Sequence, residues 1–226
     1  MDLDTEKILK RFEDYISYNT QSDEENDQVY PSTPGQMVLA RHLKEELEQL
    51  GLQEVSLDEN GYVMATLPAN GAEGSVVGFI SHMDTSPDAP GGPIHSRVVH
   101  DYDGKDICLN KEKNIVLSTK DFPEILKYKG QDIIVTDGTT LLGADDKAGV
   151  TAIVSAMEYL LHHREVKHGK IRIAFTPDEE TGRSPLRFDV KKFHADFAYT
   201  IDGGELGGLE YENFNAANPE IIIHGR

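Results

Sequence analysis

The sequence predicts an α/β protein with a mixed central sheet and helices on both faces of that sheet. Three observations support this fold class. Amphipathic helical patterns alternate along the chain with short apolar runs that are typical of strands. The chain has 226 residues, enough for one large α/β domain or two small ones. Hydrophobic residues make up 38% of it, which is sufficient for a packed core.

Two helices are predicted at the start of the chain. Residues 4–17 carry apolar side chains on a single stripe, the pattern of a helix that buries one face. The second helix is predicted to follow Thr33 as N-cap, with Pro34 at its first position and Gln36 completing a capping box. Gly51 suits the end of this helix, because glycine readily adopts the left-handed conformation of a C-terminal cap.

Strand patterns follow these helices. Residues 54–67 contain two β-like runs around a turn at 59–61, which indicates a hairpin. Residues 75–82 form a near-continuous apolar run, as in a buried strand. A third amphipathic helix is predicted over 146–163. The remaining predictions are short strand pieces within 98–117, a strand at 133–136, and buried strands at 170–175 and 197–201.

The charge balance and the cysteine content exclude several classes of partner. Lys and Arg total 22 while Asp and Glu total 40, so the formal net charge is −18. A surface of this sign repels nucleic-acid phosphates and is compatible with bound divalent cations. Cys108 is the only cysteine, so no disulfide can form within the chain, which fits a reducing compartment. The charged N-terminus and the lack of any apolar run near ~18 residues predict a cytoplasmic protein with no membrane span.

Acidic or imidazole side chains stand at four places beside the predicted strands and helices. Each place has a simpler explanation when it is taken alone: a hydrogen-bonding histidine at a strand end, a helix cap, a solvated acidic turn, or an Asp-Gly turn. The four places, in chain order, are His82 with Asp84 after a strand, Asp145 with Asp146 before a helix, Glu179 with Glu180 after a strand, and Asp202 after the last strand.

Taken together, the four places predict a metal site. Ligands in an open α/β sheet gather beyond the carboxyl ends of the strands, where these residues lie. One imidazole and several carboxylates suit zinc, cobalt or manganese better than a metal that prefers thiolates. A carboxylate shared by two ions ~3.5–4 Å apart would make a two-metal hydrolytic site. Of two adjacent glutamates, one can bind a metal while its neighbour acts as general base.

Four motifs closely resemble those of the M20 family of dinuclear-zinc metallopeptidases, and in particular its tripeptide aminopeptidases. They read "SHMDTSPDAPG", "LLGADDKAGV", "TPDEETGR" and "IDGGELGGLEYENFNAA", in the family's order and at compatible spacing. The resemblance covers essentially the whole chain. It implies an enzyme that releases the N-terminal residue from tripeptides with two zinc ions, for which cobalt or manganese are substitutes.

The resemblance also implies a role for each residue of the site. His82 and Asp202 would bind the first zinc, Glu180 the second, and Asp145 would bridge both. In the same comparison Asp84 orients His82, and Glu179 is the general base and acid. A cis peptide bond is implied after Asp145. The role of Asp146 stays open between a turn residue, a hydrogen-bond acceptor behind the ligands and a partner for Lys147.

The resemblance further implies how the chain is divided. Family members are nearly twice as long, so residues 1–208 are predicted to be the N-terminal part of the catalytic domain and 209–226 the start of a lid or dimerisation domain. A strand-like run lies within 220–226. A later histidine would complete the second zinc site, so we expect weak or no activity from this chain alone, and a homodimer in the intact protein. The alternatives are another M20 hydrolase, either a dipeptidase or an N-acyl amino acid deacylase, and a metal-binding fragment without catalysis.

Overall fold

The computed structural model describes residues 3–204, 207–212, 217, 219 and 221–225. Within these residues lie four α-helices: α1 (Thr5–Ser17), α2 (Pro34–Leu50), α3 (Ala144–His162) and α4 (Val190–Phe193). The same residues contain nine strands: β1 (Gln53–Leu57), β2 (Val63–Leu67), β3 (Val77–His82), β4 (Ser96–Val99), β5 (Ile107–Asn110), β6 (Ile115–Leu117), β7 (Ile133–Thr136), β8 (Ile171–Thr176) and β9 (Phe197–Thr200). The predicted hairpin, the predicted helices and the strand runs predicted up to residue 201 are therefore present.

The central sheet has five strands in the order β1-β2-β8-β3-β9. β1 pairs with β2 and β2 with β8 in antiparallel fashion, whereas β3 runs parallel to both β8 and β9. The mixed sheet predicted from the sequence is confirmed. The three parallel strands end at the same edge of the sheet, and this edge carries the residues of the candidate site.

The two faces of the sheet carry different helices. On one face, the side chains of Val63 and Phe175 belong to a large core that also contains residues of α1, α2 and α3, such as Leu43 and Val154. On the opposite face, Met64 and Ala174 pack against Phe193 of α4. The alternation of side chains along β2 and β8 divides the apolar residues between the two cores. Helices on both faces are thus confirmed.

The start of α2 differs from the predicted capping box. Thr33 is the N-cap residue, yet its side chain makes no capping hydrogen bond, and its hydroxyl donates to the carbonyl oxygen of Gln21 at 2.7 Å. Gln36 donates instead to the buried carboxylate of Asp178 at 2.7 Å. Tertiary partners therefore replace the local cap. The C-terminal prediction is confirmed, since Gly51 caps the helix in the left-handed conformation with φ of 89°.

Strand β9 is not buried, contrary to the prediction. Phe197 and Tyr199 are 47% and 43% exposed. The reason is the position of β9 at the edge of the sheet, where it pairs only with β3 among the described strands. The strand-like run predicted near the chain end is wrong for 221–225, which form neither helix nor strand, and residues 220 and 226 lie outside the described residues.

Two small sheets, β4-β7 and β5-β6, lie between β3 and α3 in the sequence. They have their own core, in which Tyr102, Ile107 and Val135 are buried. No helix in the described part of the chain is both long enough and apolar enough to cross a bilayer.

Candidate metal centre

The sheet brings three of the predicted residues to one edge. His82 is the last residue of β3 and pairs with Thr176 at the end of the parallel strand β8. Glu179 lies three residues after Thr176 in the sequence. On the other side of β3, the amide of Ile201 donates to the carbonyl oxygen of Ile80 at 2.8 Å, and Asp202 comes next. The parallel pairing therefore places residues more than 90 positions apart in the sequence beside one another.

The imidazole of His82 is the centre of the cluster. Its Nε2 atom lies 2.9 Å from Oδ1 of Asp145, 3.7 Å from Oε2 of Glu179 and 3.7 Å from Oδ1 of Asp202. Among the residues that the structure describes, His82, Asp145 and Asp202 form a group whose donor atoms all lie within 4.8 Å of one another. Such a group can hold one metal ion. Glu180 is not part of it.

The orientation of the His82 ring is set through its other nitrogen. Nδ1 donates to the backbone carbonyl oxygen of Asp84 at 3.1 Å, and the Asp84 carboxylate lies 3.4 Å away. A neutral ring in this tautomer presents the Nε2 lone pair to the carboxylates. The Asp84 carboxylate also accepts hydrogen bonds from the amides of Glu179 at 3.0 Å and Glu180 at 3.1 Å. Asp84 thus contacts both the histidine and the glutamate turn.

The two adjacent aspartates at the start of α3 have separate roles. Their peptide bond is cis, as the resemblance implied. The Asp145 side chain is 63% exposed and faces His82. Asp146 is 1% exposed, and its carboxylate accepts from the amides of Gly149 at 3.1 Å and His82 at 3.2 Å. Asp146 is therefore the helix cap and the hydrogen-bond acceptor behind the ligand. Lys147 is not its partner, since Nζ donates to the carbonyl oxygen of Tyr18 at 2.7 Å.

The cluster strongly favours positive charge at its centre. Burial by itself lowers the pKa of His82, but the carboxylates of Asp202 and Asp84 outweigh this effect and raise that pKa to about 11. Burial and the neighbouring charge of Asp145 raise the pKa of Glu180 to about 7. The neighbouring carboxylates contribute to both shifts, because negative charge accumulates in a partly dry site. A bound cation would satisfy the same demand.

Two further acids are affected by burial. Burial raises the pKa of Glu179 and, together with the charges of the neighbouring aspartates, outweighs the opposing effect of His82. Burial raises the pKa of Asp146 to about 8. Raised carboxyl pKa values of this kind are found in groups that accept and return protons near neutral pH. Glu179, which is also half-exposed, can reach both solvent and a ligand.

Sequence reasoning missed the residues that support the glutamate turn. Asp178, which directly precedes the two glutamates, is fully buried and bonded to Ser32 and Gln36. These partners lie more than 140 positions away in the sequence, so no local pattern connects them. The one signal available was a polar Gln36 near the start of an otherwise amphipathic helix.

The family comparison agrees with this geometry. A model of the peptidase family M20/M25/M40 matches residues 134–216. The chain is 60% identical over 223 residues to the peptidase T of Clostridium acetobutylicum. The aligned region covers 98% of this chain and 54% of that protein. It is 58% identical over 221 residues to the peptidase T of Caldanaerobacter subterraneus subsp. tengcongensis, with coverage of 97% and 54%. The chain spans about half the length of the curated relatives it matches.

Solved structures share the fold. The aminopeptidase PepT from Bacillus cereus aligns with a TM-score of 0.63 at 24% identity, over 90% of this chain and 44% of that one. A tripeptidase from Staphylococcus aureus aligns with a TM-score of 0.59 at 23% identity, over 90% of this chain and 44% of that one. At these identities the likeness concerns the fold alone.

An imidazole and carboxylates thus meet at the carboxyl edge of a mixed α/β sheet, and the chain matches the peptidase family M20/M25/M40 over residues 134–216. The curated relatives described above, which align with almost the whole length of this chain, are named peptidase T.

Proposed function

We propose that the chain forms the zinc-binding core of a tripeptide aminopeptidase, which releases the N-terminal residue of a tripeptide. The observation that carries this proposal is the convergence of three carboxylates on Nε2 of His82, at 2.9–3.7 Å. Similarity to peptidase T at about 60% identity supports the substrate class. Residues 1–208 would belong to the catalytic domain and 209–226 to a lid or dimerisation domain. The single cysteine suits the reducing cytoplasm, where we place the protein.

The donor set fits zinc. His82, Asp145 and Asp202 supply one nitrogen and two carboxylates, a set that borderline-soft divalent ions accept. The His82 ring is held by its hydrogen bond to the Asp84 carbonyl, so its free nitrogen is aimed at the carboxylates. We assign these three residues to the first ion. Glu180 would hold the second ion together with Asp145, whose charge already influences it.

A zinc ion bound there would supply Lewis acidity, which lowers the pKa of a water molecule and polarises the scissile carbonyl. The protein's own contribution is the movement of a proton. Glu179 would accept a proton from the attacking water and donate it to the amine nitrogen of the departing dipeptide. Its raised pKa suits both steps, because the carboxylate must take up the proton before releasing it. Asp84 holds the Glu179 backbone in place through the amide hydrogen bond of 3.0 Å.

The test combines metal binding with hydrolysis. The purified chain is titrated with zinc and then assayed with di-, tri- and tetrapeptides and with N-acyl amino acids. We expect tight zinc binding that is lost in His82→Ala. Any tripeptide hydrolysis should be weak, as expected of this chain alone, and should fall at least about 100-fold in Glu179→Gln while zinc stays bound. Glu165→Gln is the matched control, since Glu165 is an exposed glutamate whose carboxylate lies 2.9 Å from Nδ1 of His163 in a local pair.

Each other outcome has a defined meaning. A preference for dipeptides or N-acyl amino acids would replace the tripeptidase with another hydrolase of the family. Zinc binding without any turnover would favour a metal-binding module. Failure to bind zinc, or full hydrolysis by Glu179→Gln, would overturn the proposal.

A further inference from the structure

Asp178 is a buried carboxylate directly before the two glutamates of the site. Its side chain is fully buried, with 0% of its surface exposed. The carboxylate accepts hydrogen bonds from the amide of Ser32 at 2.8 Å, from the Ser32 hydroxyl, and from Nε2 of Gln36 at 2.7 Å. A buried charge is tolerated in proteins only when it is hydrogen-bonded in this way. The site chemistry proposed above makes no use of this group.

The backbone of Asp178 is held as firmly as its side chain. Its amide donates to Oε1 of Gln36 at 3.0 Å, so the two residues bond to each other twice. Its carbonyl oxygen accepts from the amides of Arg183 at 2.9 Å and Ser184 at 3.1 Å. Its φ of 53° lies in the left-handed region, which is unusual for a residue with a side chain. The turn therefore has a defined conformation that depends on distant partners.

Residues 19–33, which we call the connecting segment, reach from Asp178 to the loop after His82. At the far end, the Thr20 hydroxyl donates to the carbonyl oxygen of Met83 at 2.7 Å. The amide of Ser22 donates to the carbonyl oxygen of Thr85 at 3.0 Å. The connecting segment thus contacts both loops of the site, and the bonds from Ser32 join it to the glutamate turn.

A rigid connection between these loops has a consequence for the glutamates. The amides of Glu179 and Glu180 both donate to the carboxylate of Asp84, which lies on the loop after His82. These bonds require that the two loops keep their separation. Asp178 precedes Glu179 and is held by hydrogen bonds to both its side chain and its backbone. It therefore fixes the position of the backbone from which the two glutamates follow.

We propose that Asp178 is a positioning residue, which holds Glu179 and Glu180 against Asp84 through its bonds to Ser32 and Gln36. The inference rests on the proposed function for its catalytic meaning, since the glutamates are the general base and a ligand of the second ion there. A purely structural role would stabilise the whole fold equally. A positioning role acts first on the glutamate turn.

The decisive variant is Asp178→Asn, which keeps the shape of the side chain but turns one acceptor into a donor that faces other donors. Gln36→Glu with Asp178→Asn is the rescue, because the new carboxylate accepts from the new amide and the pair keeps its charge. Asp196→Asn is the matched control: Asp196 accepts from the amide of Val76 at 2.7 Å, at the opposite end of β3. Amide hydrogen exchange and a Co²⁺ titration followed by absorption are measured on each chain.

In Asp178→Asn we expect exchange of the Glu179 and Glu180 amides to rise at least about tenfold, while the amides of β8 change much less. Affinity for the Co²⁺ ion bound near Glu180 should fall about 10–100-fold, as is usual when a group supporting a ligand is lost. The double variant should restore both, and Asp196→Asn should change neither. If Asp178→Asn does not fold, Ser32→Ala is expected to show the same local increase in smaller degree. It removes the hydroxyl that donates to Asp178 and that also accepts from the amide of Asp23 at 2.9 Å and from Nε2 of Gln36 at 3.2 Å.

The inference is overturned if the Glu179 and Glu180 amides exchange at the same rate in Asp178→Asn and in Ser32→Ala as in the wild type. An increase in exchange that extends uniformly over β8 would also overturn it. No recovery in the double variant would also overturn it. A wild-type chain that binds no Co²⁺ would defeat the proposed function instead, and the exchange data would still decide whether Asp178 positions the turn.

Discussion

Gly149 offers a direct test of how the site is packed. It lies in the first turns of α3, where its amide donates to the capping carboxylate of Asp146 at 3.1 Å. A Cβ atom at this position would lie 2.5 Å from the Ser81 hydroxyl and closer still to the carbonyl oxygen of Ile201 and to Asp146. These neighbours immediately precede or follow His82, Asp202 and Asp145 in the sequence. Gly149→Ala should therefore push apart the segments that carry the proposed metal ligands.

The expected magnitude follows from two opposing effects. Inside a helix, alanine is favoured over glycine by about 1 kcal/mol. Overpacking of a tight core typically costs about 1–3 kcal/mol, and a backbone carbonyl cannot rotate away as a side chain can. We expect the upper end of that cost, which leaves a net loss of about 2 kcal/mol in the free energy of unfolding. For a domain of about 200 residues this corresponds to a decrease in Tm of roughly 4–8 °C.

The assay is thermal unfolding of the metal-free chain, followed by zinc titration of the folded variant. The control is Gly169→Ala, because the nearest atom to a Cβ there is the Ser75 carbonyl oxygen at 3.6 Å, an ordinary contact. That variant should lie within about 0.5 kcal/mol of the wild type. If Gly149→Ala is as stable as the wild type and binds zinc equally well, the packing argument is wrong.

Three further predictions follow. Zinc at about 100 times its Kd should stabilise the chain by about 2.7 kcal/mol in thermal melts, and His82→Ala should abolish this gain. Asp84→Asn should weaken zinc binding by about 10–100-fold in calorimetry, whereas unchanged affinity would remove Asp84 from the site. Burial raises the pKa of Glu158, but hydrogen bonds from Lys7 and Arg11 outweigh it and hold the pKa below the ordinary 4.5. Its stabilisation is thus present above pH 4.5 and lost as the pH falls through the lowered value. Urea unfolding should show Glu158→Gln less stable by about 1.5–3 kcal/mol at pH 7, with the gap narrowing as the pH falls below 4.5, and a gap independent of pH would contradict this account.

Local sequence was enough to place most of the secondary structure and to propose the residues of the candidate site. Helix and strand periodicity depends on near neighbours, so α1, α2, α3 and the strands could be recognised from short windows. The acidic motifs were visible for the same reason, since each is a short run next to a strand or helix. Their convergence followed from the rule that parallel strands end at one edge.

Burial was harder to predict than periodicity. The apolar run that forms β9 was expected inside the sheet, yet it lies at the edge with Phe197 and Tyr199 exposed. An apolar strand has the same pattern whether one or two neighbours cover it. Likewise, the capping box expected from Thr33 and Gln36 was replaced by bonds to Gln21 and Asp178, because a tertiary partner competes with the local one.

Tertiary structure alone decided which of two identical residues does which task. Asp145 and Asp146 are adjacent and chemically equal, so either could cap the helix or face His82. The backbone directs one carboxylate toward His82 and buries the other against the amides of His82 and Gly149. Side-chain identity specifies the chemistry available at a position, whereas the direction of the chain in the folded protein specifies which partner that chemistry meets.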